Sequence, residues 1–207
     1  MQKAGVFFVP ISTVLRADLS VAGGCCRNSK FFHSGERGGE IMCTLELAQL
    51  SDLTKCCEII KEGRDFQKEQ GFEQWTETYP NQDTVRDDIQ SKKGYVIKVH
   101  TEIAGYLCID FSGEPAYADI EGAWRSSTPY AVIHRMAFRK KYRGIGLADM
   151  AFKMVEERCV ARNIRNIRVD TDFPNTRMQH ILKKNGFQNC GVVVFQGGKK
   201  LAFDKLL

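Results

Sequence analysis

The sequence lacks three features that would assign it to an easily recognised class. No run approaches the roughly 20 consecutive apolar residues of a membrane span, so we predict neither a transmembrane segment nor a membrane partner. No dense run of Lys or Arg accompanies the formal net charge of +5, and nucleic acid is therefore not the expected partner. The eight cysteines include no CxxC pair, so the usual spacing of a structural zinc site is missing and we predict no metal.

What remains is the composition of an ordinary globular chain. Of its 207 residues, 43% are hydrophobic and 27% charged, a balance that excludes a wholly disordered protein. The length fits one domain, or one domain with an appendage. Cys56 and Cys57 are neighbours in a helical pattern, and Cys108 lies in an apolar strand pattern. This placement favours small buried thiols in a reducing cytoplasm over a disulfide framework.

Residues 1–40 differ from the rest of the chain. They begin with a short apolar run like that of a secretory signal, but a proline, an arginine and an aspartate interrupt it and no small-residue cleavage site follows. The residues at 35–40 are of types that purine-rich codons encode. A bacterial ribosome-binding site just upstream of a start codon at Met42 would give such residues if it were translated in frame. We therefore treat residues 1–40 as an N-terminal extension, either a poorly structured arm or an over-extension upstream of a start at Met42. The domain itself is predicted at 41–207.

From residue 41 onward the hydrophobic pattern alternates between strand and helix periods. We expect helices that start at Ser51 and Asp83 as N-caps, the second ended by Gly94, and further helices at about 144–163 and 174–185. The order of elements indicates an α/β architecture, a mixed sheet with helices on both faces. Seven strands are predicted, at residues 43–47, 95–99, 103–111, 130–138, 164–171, 191–195 and 200–203.

The most informative segment is 138–148, which ends a strand with polar and basic residues and then opens a long helix with Gly144 and Gly146. The first turn of a helix leaves N–H groups unpaired and carries a partial positive charge, so it is suited to bind an anion. Glycines let phosphate oxygens approach the backbone, and Arg143 adds positive charge. A solvated, basic helix start is the alternative interpretation.

The same glycines mimic a dinucleotide-binding fingerprint, with Asp170 at roughly the spacing of its ribose-binding carboxylate. That fingerprint requires a third small residue where this chain has Asp149. A carboxylate there would also repel a pyrophosphate. The dinucleotide interpretation is therefore the less favoured of the two phosphate chemistries.

The second chemistry rests on residues 141–146, Lys-Tyr-Arg-Gly-Ile-Gly, which align with the pattern [Gln/Arg]-x-x-Gly-x-[Gly/Ala] except for the lysine at its first position. The strand 131–138 precedes this motif, and Asn175 followed by Asn-Gly-Phe at 185–187 comes after it. On these residues the chain from 41 onward resembles the GNAT superfamily of N-acetyltransferases. The resemblance implies a mixed, mostly antiparallel sheet of about six to seven strands, splayed between the fourth and fifth strands.

The resemblance further implies acetyl-CoA as the cosubstrate, held in the gap between the splayed strands. Its pantetheine arm would run along the strand 131–138, and its pyrophosphate would lie on the amides that open the next helix. The residues expected to bind it are Met136, Phe138, Lys141, Arg143, Gly144, Ile145, Gly146, Leu147, Ala148 and Asn175.

The implied reaction is direct attack of a neutral primary amine on the thioester, within a ternary complex. A base or a held water must take a proton from the amine. His134 is our candidate, with a structural histidine bonded within the sheet as the alternative, and the amide of Met136 could stabilise the oxyanion. Leu182 stands where many members carry a proton-donating tyrosine, so Tyr142 becomes the substitute catalytic candidate.

The acceptor would be a small-molecule or peptide amine, for which aromatic walls with a carboxylate are suited. A purely structural use of the same side chains, pinning loops to the core, is the alternative. The missing tyrosine also leaves open a non-catalytic acyl-CoA-binding or partner-binding module, and the resemblance suggests a homodimer. The residues expected to bind the acceptor are Trp75, Tyr79, Tyr117, Asp119, Trp124 and Tyr130.

Overall fold

A computed structural model of the chain describes residues 30–34 and 40–207, with side chains from Met42 on. Most of the predicted extension, 1–40, lies outside the described residues. Its described residues are a strand, Lys30–Ser34, and Glu40 at the start of the next strand, so regular structure begins earlier than the pattern indicates. Within the described ranges, none of the helices has the length and apolar character needed to cross a membrane.

One sheet with the strand order β1-β2-β3-β4-β6-β7-β9-β8-β5 runs through the described part of the chain. Only β6 and β7 pair in parallel; the other neighbours are antiparallel, which confirms the mixed, mostly antiparallel sheet. All seven predicted strands are present, and the count rises to nine because of β1 and the two-residue β5. The strands are β1 Lys30–Ser34, β2 Glu40–Leu47, β3 Gly94–Val99, β4 Glu102–Asp110, β5 Glu121–Gly122, β6 Ala131–Phe138, β7 Asn166–Thr171, β8 Gln188–Phe195 and β9 Gly198–Leu206, and the helices are α1 Leu53–Glu69, α2 Gln82–Gln90, α3 Leu147–Val160 and α4 Thr176–Lys184.

Helices cover both faces of the sheet, as predicted. Successive side chains of a strand point to opposite faces, and β3 shows the consequence. Ile97 is fully buried in the core that the sheet shares with α3 and α4. Its neighbour Val96 packs into the other core, with Ile59 of α1 and Val85 of α2. The two helix pairs therefore enclose the sheet between them.

Neither of the two predicted N-caps is found in the structure. Ser51 lies in a short 3₁₀ turn before α1 and caps nothing. The cap of α2 is Asn81, whose Oδ1 accepts from the Thr84 amide at 2.9 Å, while Asp83 lies in the first turn. Asn and Asp are equally good caps, so composition alone did not separate them. Gly94 opens β3 instead of ending α2.

The cysteines are free thiols in the described part of the chain, and four of those six are buried. Burial raises the pKa of each of the four to about 12, so they are unreactive small core residues. This confirms the prediction of buried thiols for Cys43, Cys56, Cys108 and Cys159.

The sheet opens between β6 and β7, the predicted fourth and fifth strands. The two strands pair only at Ala131 with Ile167 and at Val132 with Arg168, and then separate toward their C-terminal ends. The predicted splay is therefore confirmed. Beyond this point β6 remains paired only with β4 and β7 only with β9, so the edges that face each other across the opening expose backbone and side chains.

A bulge in β6 lies beside this opening. Tyr106 of β4 pairs with Ala137 and Cys108 pairs with His134, so one residue of β4 lies opposite two residues of β6, Arg135 and Met136. Arg135 has φ +55°, in the left-handed region that non-glycine residues rarely adopt. An extra residue of this kind redirects the strand and releases a residue from the ladder. From Arg135 onward, the side chains of β6 therefore no longer alternate strictly between the two faces of the sheet.

Candidate functional site

The gap between β6 and β7 leads into two adjoining cavities. The first, which we call the outer cleft, encloses about 1270 Å³ of space that includes open solvent and is lined by the start of α3 and by α4. The second, the inner cavity, lies where the strands part and comprises about 670 Å³ of space that likewise includes open solvent. Five residues line both cavities and mark their junction: Gln67, Trp75, Met136, Asn175 and Met178.

At one end of the outer cleft is the turn that precedes α3. The helix begins at Leu147, three residues later than predicted, because Gly144 and Gly146 have φ +84° and +81° and form a left-handed turn. No side chain caps the first turn, and the first backbone bond of the helix runs from Met150 to the Gly146 carbonyl at 3.2 Å. The Arg143 amide donates to the Lys140 carbonyl at 3.3 Å, but the amides of residues 144–149 are available to an anion in the cleft, which Gly144, Gly146, Leu147 and Ala148 line.

The side chains of the motif serve mainly to hold this turn in place. Lys141 forms an exposed ion pair with Glu102 at 2.6 Å, and the Tyr142 hydroxyl donates to the same carboxylate at 2.7 Å. Burial and then Glu102 raise the pKa of Tyr142. Ile145, between the two glycines, is exposed. Neither Lys141 nor Ile145 lines either cavity, whereas Tyr142 lines the outer cleft.

Arg143 ties the motif to α1. Its Nε donates to the Phe138 carbonyl at 3.1 Å and its Nη2 to the Glu62 carbonyl at 2.7 Å. The guanidinium also lies over the Phe66 ring, with its carbon 4.6 Å from the ring centroid. Two of its donors are therefore occupied by the protein, although the side chain still lines the outer cleft beside Phe138.

Asp149 does not act as a free negative charge in the first turn of α3. Lys184 donates to one of its carboxylate oxygens at 2.5 Å and Asn185 to the other at 2.7 Å. These bonds outweigh the effect of burial and lower the pKa of Asp149. The ion pair compensates the carboxylate, which removes the repulsion toward a pyrophosphate that the sequence predicts.

Asn175 sits at the junction of the cavities. Its Oδ1 accepts from the Met178 amide at 3.1 Å and so caps α4, which begins at Thr176. Its Nδ2 donates to Gln74 at 3.1 Å, on the loop between α1 and α2. The side chain thus fixes α4 against the wall of the inner cavity.

His134 lines the inner cavity, where its ring stacks on Phe195 with a centroid distance of 5.5 Å. Its Nε2 lies 3.7 Å from a Glu114 oxygen. Burial, and secondarily the charge of Arg135, lowers the pKa of His134 to about 3. The imidazole is therefore neutral at pH 7 and a weak proton acceptor.

Arg135 is held by a buried network at the bulge. Its Nε and Nη2 donate to the two oxygens of Asp88 on α2, at 2.8 and 2.7 Å, and its Nη1 donates to the Tyr79 hydroxyl at 2.6 Å. Tyr106 donates to Asp88 as well, at 2.8 Å. The arginine is thus occupied by protein partners, and its charge is compensated before any ligand enters.

Asp170 belongs to the inner cavity, whereas the sequence suggested it as the ribose-binding carboxylate of a dinucleotide fingerprint. It lies on β7 and lines the inner cavity, with its Oδ1 accepting from the Tyr117 hydroxyl at 2.6 Å. Burial raises its pKa to about 6, against the opposing effects of Tyr117 and Lys200. The sequence signal that could have identified Asp170 as a cavity residue is an acidic side chain within an apolar strand pattern.

The six residues expected at the acceptor site are not all brought together. Trp75 and Tyr79 line the inner cavity, whereas the buried Tyr117 is linked to it only through its bond to Asp170. Tyr117 instead lines a separate pocket with Trp124 and Tyr130, which enclose the Arg168 guanidinium at 4.1 and 3.7 Å. Asp119 is exposed and lines none of the described cavities. Gln74, Phe195 and Lys200, which the sequence did not single out, complete the inner cavity.

Leu182 is fully buried in the core against α3 and reaches neither cavity. The position where many members of the suspected family carry a proton-donating tyrosine is therefore structural in this chain. In the described residues, no group of three His, Cys, Asp or Glu side chains could hold a metal ion.

Comparison with known proteins places this geometry in a family. The sequence model of the acetyltransferase (GNAT) family matches residues 60–187, while no curated protein matches the chain. A GNAT-family acetyltransferase of Streptococcus agalactiae is similar over 86% of this chain and 99% of its own, with 30% identity and a TM-score of 0.75. A Listeria monocytogenes GNAT acetyltransferase (18% identity, TM-score 0.65, covering 81% and 96%) shares the fold. So does an aminoglycoside acetyltransferase, AAC(6')-Ib, solved with coenzyme A and kanamycin (19%, TM-score 0.59, covering 79% and 94%). The chain belongs to the GNAT family of acetyltransferases.

Proposed function

We propose that the protein transfers an acetyl group from acetyl-CoA to a primary amine, by direct attack in a ternary complex. The observation that carries the proposal is that the two cavities adjoin at the opening of β6 and β7, where five residues line both of them. One cavity offers free helix amides for an anionic cosubstrate, and the other offers one carboxylate, Asp170, and aromatic rings for a cation. The thioester and the amine would meet at their junction.

Acetyl-CoA fits the outer cleft because its pyrophosphate needs backbone donors more than side-chain charge. The left-handed turn at Gly144 and Gly146 directs uncapped amides toward the cleft, and Arg143 and Lys141 hold the turn in place. Met136, released from the ladder by the bulge, lies at the junction, where its amide is suited to bind the developing oxyanion.

The acceptor would occupy the inner cavity as an amine that enters in its protonated form. Trp75, Tyr79 and Phe195 provide aromatic walls, and Asp170 provides a carboxylate without a cationic partner bonded to it. Neutral His134 would serve there as a wall and as a holder of water. The AAC(6')-Ib structure with coenzyme A and kanamycin shows a relative of this fold with an amine-bearing ligand, in agreement with this arrangement.

A non-catalytic acyl-CoA-binding or partner-binding module is the second candidate, because Leu182 removes the usual proton donor. Turnover separates the two. The enzyme would form an N-acetylated product with some amine, whereas the module would bind acetyl-CoA and leave the thioester intact.

The first experiment is calorimetric titration with acetyl-CoA, using NADH as the control ligand. Saturable binding of acetyl-CoA alone is expected, and G146E should abolish it by filling the cradle with a side chain and a negative charge. A matched substitution, G197E, alters another glycine of positive φ in the hairpin between β8 and β9 and should leave binding intact. Equal binding by both variants would remove the assigned site.

Turnover is then measured with four amines: ethanolamine, spermidine, lysine methyl ester and kanamycin. Mass spectrometry of the acetylated product avoids the background that eight cysteines would give in a thiol-release assay. A cytoplasmic location and a homodimer stay predictions, and sedimentation of the purified protein tests the second.

A further inference from the structure

Asp170 is a carboxylate at the opening of the sheet that none of the steps above uses for chemistry. The last paired residue of β7 in the β6–β7 ladder is Arg168, so Asp170 lies two residues into the gap. It is partly exposed, and it lines the inner cavity together with His134 and Thr171. Its side chain is therefore accessible from the cavity that the acceptor would occupy.

One of its oxygens is fixed and the other is free. Oδ1 accepts from the Tyr117 hydroxyl at 2.6 Å, whereas none of the described residues donates a hydrogen bond to Oδ2. Lys200 also lines the cavity but forms an ion pair with Asp172. Asp170 thus has an oriented carboxylate with an open acceptor oxygen and no bound cation.

We propose that Asp170 is the general base of the reaction, taking a proton from the acceptor ammonium through its free oxygen while Tyr117 orients the carboxylate. This inference rests on the proposed function. In the step, the N–H bond of the ammonium breaks and the proton passes to Asp170. The nitrogen lone pair then forms the C–N bond, the C–S bond breaks, and the thiolate receives the second proton that the nitrogen loses. Asp170 returns its own proton to solvent.

The other titratable groups of the cavity are less suited to this role. His134 has a pKa of about 3, so it holds a proton too weakly at neutral pH. Glu114 lies beside His134 but lines a separate pocket and not the inner cavity, and it is engaged at the N-terminus of a 3₁₀ turn, where it accepts from the Ala116 amide at 3.1 Å. Asp170, with a pKa of about 6, is ionised at pH 7 and still basic enough to accept a proton.

The pKa of Asp170 reflects the groups around it. Burial raises it most, the charges of Asp172 and Glu114 raise it further, and the Tyr117 hydrogen bond and the charge of Lys200 lower it. Removing the Tyr117 hydroxyl while keeping its ring should therefore shift the titration of Asp170 to higher pH. If Asp170 had only a structural role, this shift in its pKa would not appear in the pH dependence of the reaction rate.

The test is the pH dependence of kcat from pH 5 to 9, with the fastest of the four amines, for wild type, D170N, Y117F and the exposed control D87N. Wild type should show a rise with a midpoint near 6. D170N should lose about 10²-fold or more in kcat and should lose this midpoint, its rate instead climbing with the fraction of free amine. Y117F should keep the rise but at higher pH, and D87N should match wild type.

Calorimetry of acetyl-CoA with D170N should give the wild-type affinity, because Asp170 does not line the outer cleft. If D170N turns over with the same midpoint as wild type, Asp170 is not the base, although the proposed reaction stands. If wild type acetylates none of the amines while binding acetyl-CoA, the proposed reaction fails and the base assignment fails with it.

Discussion

Arg135 stands at φ +55° in the middle of β6 and donates two hydrogen bonds to the buried carboxylate of Asp88, at 2.8 and 2.7 Å. A left-handed non-glycine residue in a strand costs on the order of 1–2 kcal/mol and persists only where its surroundings enforce it. Both side chains are about nine-tenths buried. The ion pair therefore couples α2 to the bulge that releases Met136 at the junction of the cavities.

Loss of this ion pair should destabilise the protein strongly. In D88N the guanidinium of Arg135 remains buried without a compensating charge, which typically costs about 3–5 kcal/mol. Urea unfolding of D88N, compared with D87N at the neighbouring exposed position, measures the difference. Equal midpoints for the two variants would mean that the charge of Asp88 contributes nothing to the fold.

The same pair should influence catalysis through position and not through contact. If the pair holds the bulge, folded D88N should lower kcat by a larger factor than it raises KM for the amine, because the Met136 amide shifts. Of the three aromatic walls of the inner cavity, only Tyr79 is bonded to Arg135. Steady-state kinetics below the unfolding temperature provide the test, with D87N again as the control. A KM effect alone would place the role of the pair in acceptor binding.

We expect glycine to be required at position 144 because of the left-handed backbone conformation there, and not because a side chain would lack space. A Cβ built at Gly144 meets no atom within 4 Å, and the same holds for Gly71 after α1, at a similar φ of +81°. Alanine at either position should cost about 1 kcal/mol of stability. Only G144A should also weaken acetyl-CoA binding in calorimetry, because the turn shifts the uncapped amides. Equal affinity of G144A and G71A would contradict this.

Tyr142 should contribute little to proton transfer. Its hydroxyl is bonded to Glu102, on the hairpin outside the inner cavity, and its pKa is raised. We expect Y142F to lower kcat less than about threefold, far below the 10²-fold or greater effect typical of a general acid. A loss on that larger scale would assign the proton on the leaving thiolate to Tyr142.

Elements defined by local periodicity could be predicted from the sequence. The strands β6 and β7 and the glycine turn before α3 follow from hydrophobic pattern and glycine spacing, both of which are local properties. The splay between the two strands was implied by the resemblance to the GNAT superfamily and not by these patterns. The start of α3 was predicted three residues early because two glycines open a left-handed turn that a helix periodicity cannot distinguish from a first helical turn.

The inner cavity could be predicted only in part, since its residues come from segments far apart in sequence. Asp170 and Tyr117 are 53 residues apart, and Arg135 and Asp88 are 47 apart. No local pattern reports such pairs. Trp124 and Tyr130 have the composition of an amine site, but tertiary packing places them around Arg168 instead.

The neutral state of His134 should appear in the pH dependence of stability. Its folded pKa is about 3, against about 6.5 in the unfolded chain, so between these values the unfolded state binds a proton that the folded state does not. Its contribution to stability is therefore lost as pH falls below 6.5, by about 2 kcal/mol from pH 7 to pH 5.

Asp170 acts in the opposite sense, because its folded pKa of about 6 lies above the unfolded value and acidification through pH 6 favours the folded state. In wild type the two trends partly cancel. Urea unfolding of H134Q at pH 7 and pH 5 should show a gain relative to wild type on acidification, whereas parallel pH profiles would mean that His134 titrates as it does in the unfolded chain.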